Sequence, residues 1–255
     1  MKEYGAYFID LDGTMYKGKE AIPEAKPFID QLVSKGIPHL FVTNNSSRTQ
    51  AQTVDKLKGY GVEATKDQIL TPSITAAKQI KQDNPSGAKV YAIGEIGLFD
   101  ALEQEGLTIT EESPDYVVIG IDRDNSYRKI REACLHIQAG AQFVATNPDI
   151  KVPTEKGLVP GNGAFMHLME LVTGVKPKVF GKPEHYMITQ ALNQLNVAPE
   201  HAIMIGDNYH TDILAGIRAG VDTLHVQTGV TSVEELRLME DQPTYSLKSL
   251  QEWFT

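Results

Sequence analysis

Cysteine and long apolar runs are scarce in this sequence of 255 residues. The only cysteine, Cys134, excludes an internal disulfide and a zinc site built from several cysteines. Its surroundings have a helical pattern, so we expect a buried, inert thiol. No apolar run approaches the length of a membrane span, and no basic-then-apolar leader precedes Asp10 and Asp12, which already belong to the first strand region. We therefore expect a cytoplasmic protein.

Positive charge is scarce as well. The formal net charge is −9, which argues against binding to nucleic acid or to an anionic membrane, because both favour a basic face. A protein of this charge that acts on phosphorylated molecules needs positive charge placed locally. The hydrophobic fraction of 41% and the charged fraction of 22% are those of an ordinary globular protein. The length allows one large domain or two smaller ones.

Strand-like and helix-like patterns alternate along the whole chain, which is typical of a mostly parallel α/β fold. Five predicted strands end in polar residues: 6–9, 38–43, 178–180, 202–205 and 222–226. A polar stretch at residues 83–87 interrupts the series, and a new α/β series begins after it. We therefore predict that residues 1–80 and 178–255 form one domain around a single sheet. Residues 81–177 are predicted to form an inserted domain.

The most informative segment contains Asp10 and Asp12 and lies directly after the first predicted strand. Side chains alternate along a strand, so an extended backbone would direct both carboxylates to the same side. Gly13 and Thr14 then turn the chain. Two adjacent carboxylates are costly unless a cation or a shared proton stabilises them, and Mg²⁺ with oxygen ligands suits this role. The alternative is a solvated turn.

Polar residues also follow three other predicted strands. Thr43 and Asn44 follow the second strand, Gly181-Lys182-Pro183 follows the strand at 178–180, and Gly206-Asp207-Asn208 follows the strand at 202–205. Ligands of open parallel sheets bind beyond the carboxyl ends of the strands. Each segment alone would be an ordinary turn, but four of them at strand ends in one chain predict a site.

In this order, the segments resemble the four motifs of the haloacid dehalogenase (HAD) superfamily of phosphotransferases. The segment Asp10-Leu11-Asp12-Gly13-Thr14 resembles the first motif, and Thr211-Asp212 completes the fourth. The resemblance extends over essentially the whole chain and is greatest to the NagD and para-nitrophenyl phosphatase subfamily. It implies a Rossmann-like parallel-sheet core with an inserted α/β cap domain of type C2, which selects the substrate.

The resemblance also implies roles for the carboxylates. Asp10 would be the nucleophile that forms an aspartyl-phosphate. Asp12 would protonate the leaving alcohol and then deprotonate the attacking water. Mg²⁺ would bind the Asp10 carboxylate, the backbone carbonyl of Asp12 and the Asp207 carboxylate.

Five further residues receive roles from the same resemblance. Lys182 would keep Asp10 ionised and stabilise the phosphoryl oxygens, to which Thr43 and the amide of Asn44 would donate hydrogen bonds. Asp212 would orient Lys182 or the metal ligands, although an ordinary salt bridge or a charge at a helix start explains it equally well. Asn208 would touch a metal-bound water or would simply cap the following helix.

These residues predict a Mg²⁺-dependent phosphatase of small phosphorylated metabolites, namely sugar or acid sugar phosphates, with para-nitrophenyl phosphate as a substrate in vitro. The alternatives are a phosphotransferase or phosphomutase of the same superfamily, or a metabolite-binding module without turnover. In the inserted domain, Arg123 would suit an anionic substrate. We expect no nucleic-acid or membrane partner, and a homodimer is compatible with the family.

Overall fold

The computed structural model describes residues 2–254. Its strands are β1 Ala6–Ile9, β2 Tyr16–Lys17, β3 Glu20–Ala21, β4 His39–Val42, β5 Ile69–Leu70, β6 Lys89–Ile93, β7 Thr108–Ile109, β8 Tyr116–Ile119, β9 Gln142–Ala145, β10 Lys151–Thr154, β11 Gly157–Pro160, β12 Lys178–Val179, β13 Ala202–Gly206, β14 Asp222–Val226 and β15 Tyr245–Leu247. Its α-helices are α1 Ala25–Ser34, α2 Gln50–Gly59, α3 Pro72–Asp83, α4 Ile96–Gln104, α5 Tyr127–Gln138, α6 Asn162–Thr173, α7 Tyr186–Leu195, α8 Leu214–Ala219 and α9 Val233–Leu236. Within this range, no helix has both the length and the apolar character for crossing a membrane.

The chain packs as two compact units. The first unit comprises the chain up to Thr43, residues Gln50–Leu70 and the chain from Lys182 onwards. The second unit comprises Asn44–Thr49 and Thr71–Gly181. The predicted domain limits, 81 and 177, and the assignment of substrate selection to the inserted domain stay predictions.

The first unit is built on a six-stranded sheet with the strand order β15-β14-β13-β1-β4-β5, in which every neighbouring pair is parallel. All four residues of β1 are buried, as expected for a central strand of a parallel sheet that is covered on both faces. Phe28 and Leu32 of α1 pack in the same core cluster as Tyr7 and Ile9 of β1. Because all six strands run parallel, their carboxyl ends lie along one edge of the sheet.

The second unit has its own parallel sheet, with the order β12-β9-β8-β6-β7. The predicted strand at 178–180 was expected in the first sheet, and this was wrong, because β12 pairs with β9. Val117 and Ile119 of β8 pack against Ala133 and Ile137 of α5 in a separate core cluster. The antiparallel hairpin of β10 and β11 lies outside this sheet and is largely exposed. Two parallel α/β units in one chain confirm the predicted fold class.

The sequence pattern predicted the long buried strands well and missed the short exposed elements. The predicted strands at 6–9 and 222–226 have the observed bounds. The hairpin of β10 and β11 and the two-residue strand β7 were not predicted, because their side chains are mostly exposed and show no apolar alternation.

Candidate active site

Two of the predicted carboxylates lie at the carboxyl edge of the first unit's sheet. Asp10 and Asp207 are each the first residue after their strands, β1 and β13, which are parallel neighbours with Ile9 paired to Ile205. The amide of Asp10 donates a hydrogen bond to the carbonyl oxygen of Ile205 at 2.9 Å. The two aspartates are therefore held side by side, and both are buried, with exposed fractions of 7% for Asp10 and 1% for Asp207.

Lys182 contacts Asp10 at this edge and is itself buried. Its Nζ is 2.6 Å from Oδ1 of Asp10, 2.7 Å from Oδ1 of Asp212 and 2.7 Å from the carbonyl oxygen of Val42. An ammonium group has three N–H donors, so these acceptors match its capacity. A buried lysine stays charged only when it is paired in this way. The structure thus brings together Asp10, Lys182 and Asp212.

Asp212 is held in place by a single π-helical turn, Tyr209–Ile213. Its Oδ2 accepts from the amide of Asn208 at 3.1 Å, and its Oδ1 accepts from the hydroxyl of Thr211 at 3.1 Å. A Cβ on Gly206 would lie 2.3 Å from the Cβ of Asp212, so only glycine fits there. The side-chain oxygen of Asn208 accepts from the amide of His210 at 3.0 Å, which is the capping geometry.

The site contains more buried negative charge than positive charge. Burial and the charge of Asp212 raise the pKa of Asp10 well above its ordinary value, against the lowering effect of Lys182. Burial and Asp212 raise the pKa of Asp207 to about 7. Burial alone would lower the pKa of Lys182, but Asp10 and Asp212 raise it above its ordinary value. Lys182 therefore stays protonated, and its single positive charge does not neutralise all the carboxylates around it.

This charge balance and the donor set fit a divalent cation. Asp10, Asp207 and Asp212 each offer a carboxylate oxygen, and these oxygens lie within 4.8 Å of one another. Together with Lys182 they have a formal charge of −2, which one divalent cation would neutralise. Oxygen ligands of this kind suit a hard cation such as Mg²⁺. The three carboxylates could hold a metal ion, and the predicted ligand set, which has the backbone carbonyl of Asp12 in place of Asp212, and the identity of the ion stay predictions.

Asp12 differs from Asp10 in its surroundings. The strand ends at Ile9, so strand alternation does not extend to Asp12, whose backbone instead bridges to Tyr16. The Asp12 side chain is exposed, and it is Asp212 that joins the carboxylates of Asp10 and Asp207. The predicted metal contact of Asp12 is through its backbone carbonyl, and that contact and its acid–base role stay predictions.

Thr43 and Asn44 lie on either side of the division between the units. Thr43 is buried in the first unit, and its amide donates to the carbonyl oxygen of Leu70 at 3.1 Å. Asn44 belongs to the second unit, where its carbonyl oxygen accepts from the side chain of Asn147 at 2.8 Å. Its side-chain Nδ2 lies 3.4 Å from both carboxylate oxygens of Asp149. Their predicted phosphate contacts stay predictions.

The sequence reasoning missed the loop at residues 228–231, which follows β14 and contacts Asp207. The amide of Val230 donates to Oδ2 of Asp207 at 2.7 Å, and the amide of Thr231 donates to the Asp207 carbonyl oxygen at 3.1 Å. Buried His225 places its Nε2 3.2 Å from the same carbonyl oxygen. The available signal was the glycine, Gly229, shortly after a strand end that neighbours β13.

The second unit contains a cleft of about 340 Å³ next to the loop that follows β8. Its lining is mostly apolar, with Tyr127, Val159 and Phe165, and it includes Arg123. The Nη1 of Arg123 is 2.6 Å and 2.8 Å from the two carboxylate oxygens of Glu95. Much of the charge of Arg123 is therefore already matched within the unit.

Buried aspartates and a buried lysine at the carboxyl edge of a parallel sheet have the chemistry expected of a phosphoryl-transfer enzyme. Residues 7–108 match the family model described as haloacid dehalogenase-like hydrolase, and residues 179–253 match one described as HAD-hydrolase-like. The chain belongs to the haloacid dehalogenase-like hydrolase family, which confirms the predicted superfamily.

Individual relatives point to the same class of enzyme. The chain is 49% identical to the 5'-nucleotidase YutF of Bacillus subtilis (strain 168) and 47% identical to the acid sugar phosphatase of Staphylococcus aureus (strain USA300), over 99% of this chain and 98% and 97% of the relatives. The structure of a mutant of a thermostable p-nitrophenylphosphatase from Bacillus stearothermophilus matches with a TM-score of 0.90 and 49% identity, over 99% of both chains. The predicted subfamily and enzyme class are confirmed, and the chain is a phosphoric monoester hydrolase.

Proposed function

We propose that this protein is a Mg²⁺-dependent phosphatase of small phosphorylated metabolites, in particular sugar and acid sugar phosphates. The observation that supports this most is the buried Lys182, whose Nζ lies 2.6 Å from Asp10 and 2.7 Å from Asp212 at the carboxyl edge of the sheet. Such a group holds an ionised nucleophile in place and offers positive charge to a protein with a net charge of −9.

In the proposed reaction, a carboxylate oxygen of Asp10 attacks phosphorus, and the bond from phosphorus to the leaving oxygen breaks. Asp12 gives its proton to that oxygen. Asp12 then takes a proton from water, whose oxygen attacks the aspartyl-phosphate and releases phosphate and free Asp10. Thr43 and the amide of Asn44 would donate hydrogen bonds to the phosphoryl oxygens.

Asp10, Asp207 and the backbone carbonyl of Asp12 would hold the magnesium ion in this proposal. When bound, the ion supplies positive charge for the phosphoryl oxygens and for the buried carboxylates. Asp212 supports the site by a different route, because its contact with Lys182 keeps the ammonium next to Asp10. The raised pKa of Asp10 is consistent with a site that needs this additional positive charge.

The names of two relatives suggest two different substrate classes. One relative that is 47% identical is named an acid sugar phosphatase, and one that is 49% identical is named a 5'-nucleotidase. A panel of neutral sugar phosphates, sugar-acid phosphates and nucleoside 5'-monophosphates separates the two. We expect the highest kcat/KM on a sugar or sugar-acid phosphate.

The test of the proposed activity is hydrolysis of para-nitrophenyl phosphate with Mg²⁺ and with EDTA. We expect turnover with Mg²⁺ and loss of turnover with EDTA that added Mg²⁺ restores. Absence of hydrolysis of every phosphate ester would favour a binding module. Transfer of the phosphoryl group to an added alcohol in preference to water would favour a phosphotransferase.

Arg123 is expected to favour acidic substrates through the part of its guanidinium that Glu95 does not occupy. Replacing Arg123 with alanine should raise the KM for sugar-acid phosphates by about threefold to tenfold and leave the KM for neutral sugar phosphates unchanged, because one charge-assisted hydrogen bond is lost. The matched control is Arg128→Ala, which removes another exposed arginine paired with a glutamate, Glu111. If Arg123→Ala has the same KM as the parent protein for sugar-acid phosphates and for neutral sugar phosphates, this role is refuted.

A further inference from the structure

The carboxylate of Asp207 is enclosed between two glycines from neighbouring loops. β13, which ends just before Asp207, lies between β1 and β14 in the sheet, and the loops after those two strands contain Gly13 and Gly229. A Cβ on Gly13 would lie 2.3 Å from Oδ2 of Asp207, and a Cβ on Gly229 would lie 1.8 Å from the same atom. Neither position has room for a side chain while Asp207 keeps this conformation.

The two glycines are required for different reasons. Gly13 has a φ of +98°, a conformation that other residues rarely adopt, so its own backbone favours glycine. Gly229 is outside the left-handed region, so its φ does not favour glycine in the way that the φ of Gly13 does. The close approach of Asp207 is therefore the feature that requires glycine at position 229.

Hydrogen bonds close the loop at residues 228–231 over Asp207. The hydroxyl of Thr228 donates to the carbonyl oxygen of Gly13 at 2.6 Å, which ties this loop to the loop after β1. The amide of Val230 donates to Oδ2 of Asp207 at 2.7 Å. One carboxylate oxygen of Asp207 is therefore fixed by the backbone, and the orientation of the whole carboxylate follows.

We propose that the 228–231 loop is a positioning element that sets the carboxylate of Asp207 in the orientation for binding Mg²⁺. This inference rests on the proposed function, because it assigns Asp207 to the magnesium site. A ligand that is already held in its binding conformation loses little conformational freedom when the cation arrives. Thr228 and Gly229 act through Asp207 and touch neither substrate nor metal.

The test measures Mg²⁺ binding to the substrate-free protein by isothermal titration calorimetry. Thr228→Val removes the hydroxyl donor and keeps the side-chain volume, and Gly229→Ala adds the Cβ that displaces Asp207. We expect the Kd for Mg²⁺ to rise about tenfold in Thr228→Val and up to about 100-fold in Gly229→Ala, the range seen when partners of metal ligands are removed. At saturating Mg²⁺, the kcat of Thr228→Val should stay near that of the parent protein.

Two control variants separate metal positioning from general loss of stability. Val230→Ala keeps the backbone amide that contacts Asp207, so its Kd for Mg²⁺ should be unchanged. Gly220→Ala introduces strain at a φ of +74°, at a place with open space around it, so it should lower the Tm without changing that Kd. If Gly229→Ala fails to fold, Thr228→Val still decides the question.

The outcomes distinguish this inference from the proposed function. If the parent protein binds no Mg²⁺, the proposed magnesium site fails, and this inference fails with it. If the parent protein binds Mg²⁺ and both loop variants bind it equally well, the loop is only structural and the proposed function stands. A higher Kd in Thr228→Val with an unchanged Kd in Val230→Ala supports the positioning role.

Discussion

Replacing Asp10 with asparagine is expected to remove phosphatase activity while leaving the protein folded. The asparagine amide is a poor nucleophile and cannot form the aspartyl-phosphate, so kcat should fall by at least about 10³-fold, as when covalent nucleophiles are removed from other enzymes. The substitution keeps the shape of a buried side chain. It also removes one negative charge from a site in which burial and Asp212 already raise the pKa of Asp10.

Para-nitrophenyl phosphate hydrolysis at saturating Mg²⁺ measures this loss, and a thermal melt followed by circular dichroism establishes that the variant is folded. The matched control is Asp30→Asn, which removes an exposed carboxylate paired with Lys26 on α1 and should leave kcat unchanged. Mass spectrometry of acid-quenched parent enzyme should find a phosphoryl group on Asp10. If Asp10→Asn keeps more than ~10% of the parent activity, the activation barrier has changed by less than about 1.4 kcal/mol. That result would refute nucleophilic catalysis by Asp10.

The fold was predictable where burial imposes a pattern on the sequence. The strand β1 is buried at every position, and its apolar run and its observed bounds coincide. The short strand β15 has only three residues, none of them fully buried, so no continuous apolar run indicates it. Tertiary pairing with β14, and not local sequence, makes it a strand.

The site was predictable where a residue directly follows a strand. Asp10 and Asp207 lie side by side because their strands, β1 and β13, are parallel neighbours, as the motifs indicated. Lys182 follows β12, which belongs to the other sheet, so strand order alone does not explain its contact with Asp10. The sequence alone did not show whether Asp212 contacts Lys182 or only places a negative charge at the start of a helix. In the structure, the π-helical turn Tyr209–Ile213 holds Asp212 in contact with Lys182. The role of Gly229 could not be predicted either, because a glycine in a loop does not reveal which side chain approaches it.

Replacing Lys182 with methionine should remove activity and destabilise the fold as well. Its Nζ is within 2.7 Å of Asp10, Asp212 and the carbonyl oxygen of Val42, so its loss removes a charged donor from three buried acceptors. Removing one partner of a buried ion pair costs about 3–5 kcal/mol. We expect the free energy of unfolding to fall by about that amount at pH 8 in EDTA, and kcat to fall by about 10³-fold or more.

The stability deficit of Lys182→Met should shrink as the pH falls. Lys182 lowers the pKa of Asp10, so its removal raises that pKa further above the unfolded value, and the ionised carboxylate then destabilises the folded state. This penalty is complete above the folded-state pKa and is lost as the pH falls to the unfolded value of about 3.9.

Urea unfolding at pH 8 and pH 5 in EDTA measures the difference. The control Lys26→Met removes an exposed lysine paired with Asp30, should cost less than about 1 kcal/mol and should show no such pH dependence. An equal deficit at both pH values would show that lost packing, and not unpaired buried charge, explains the effect.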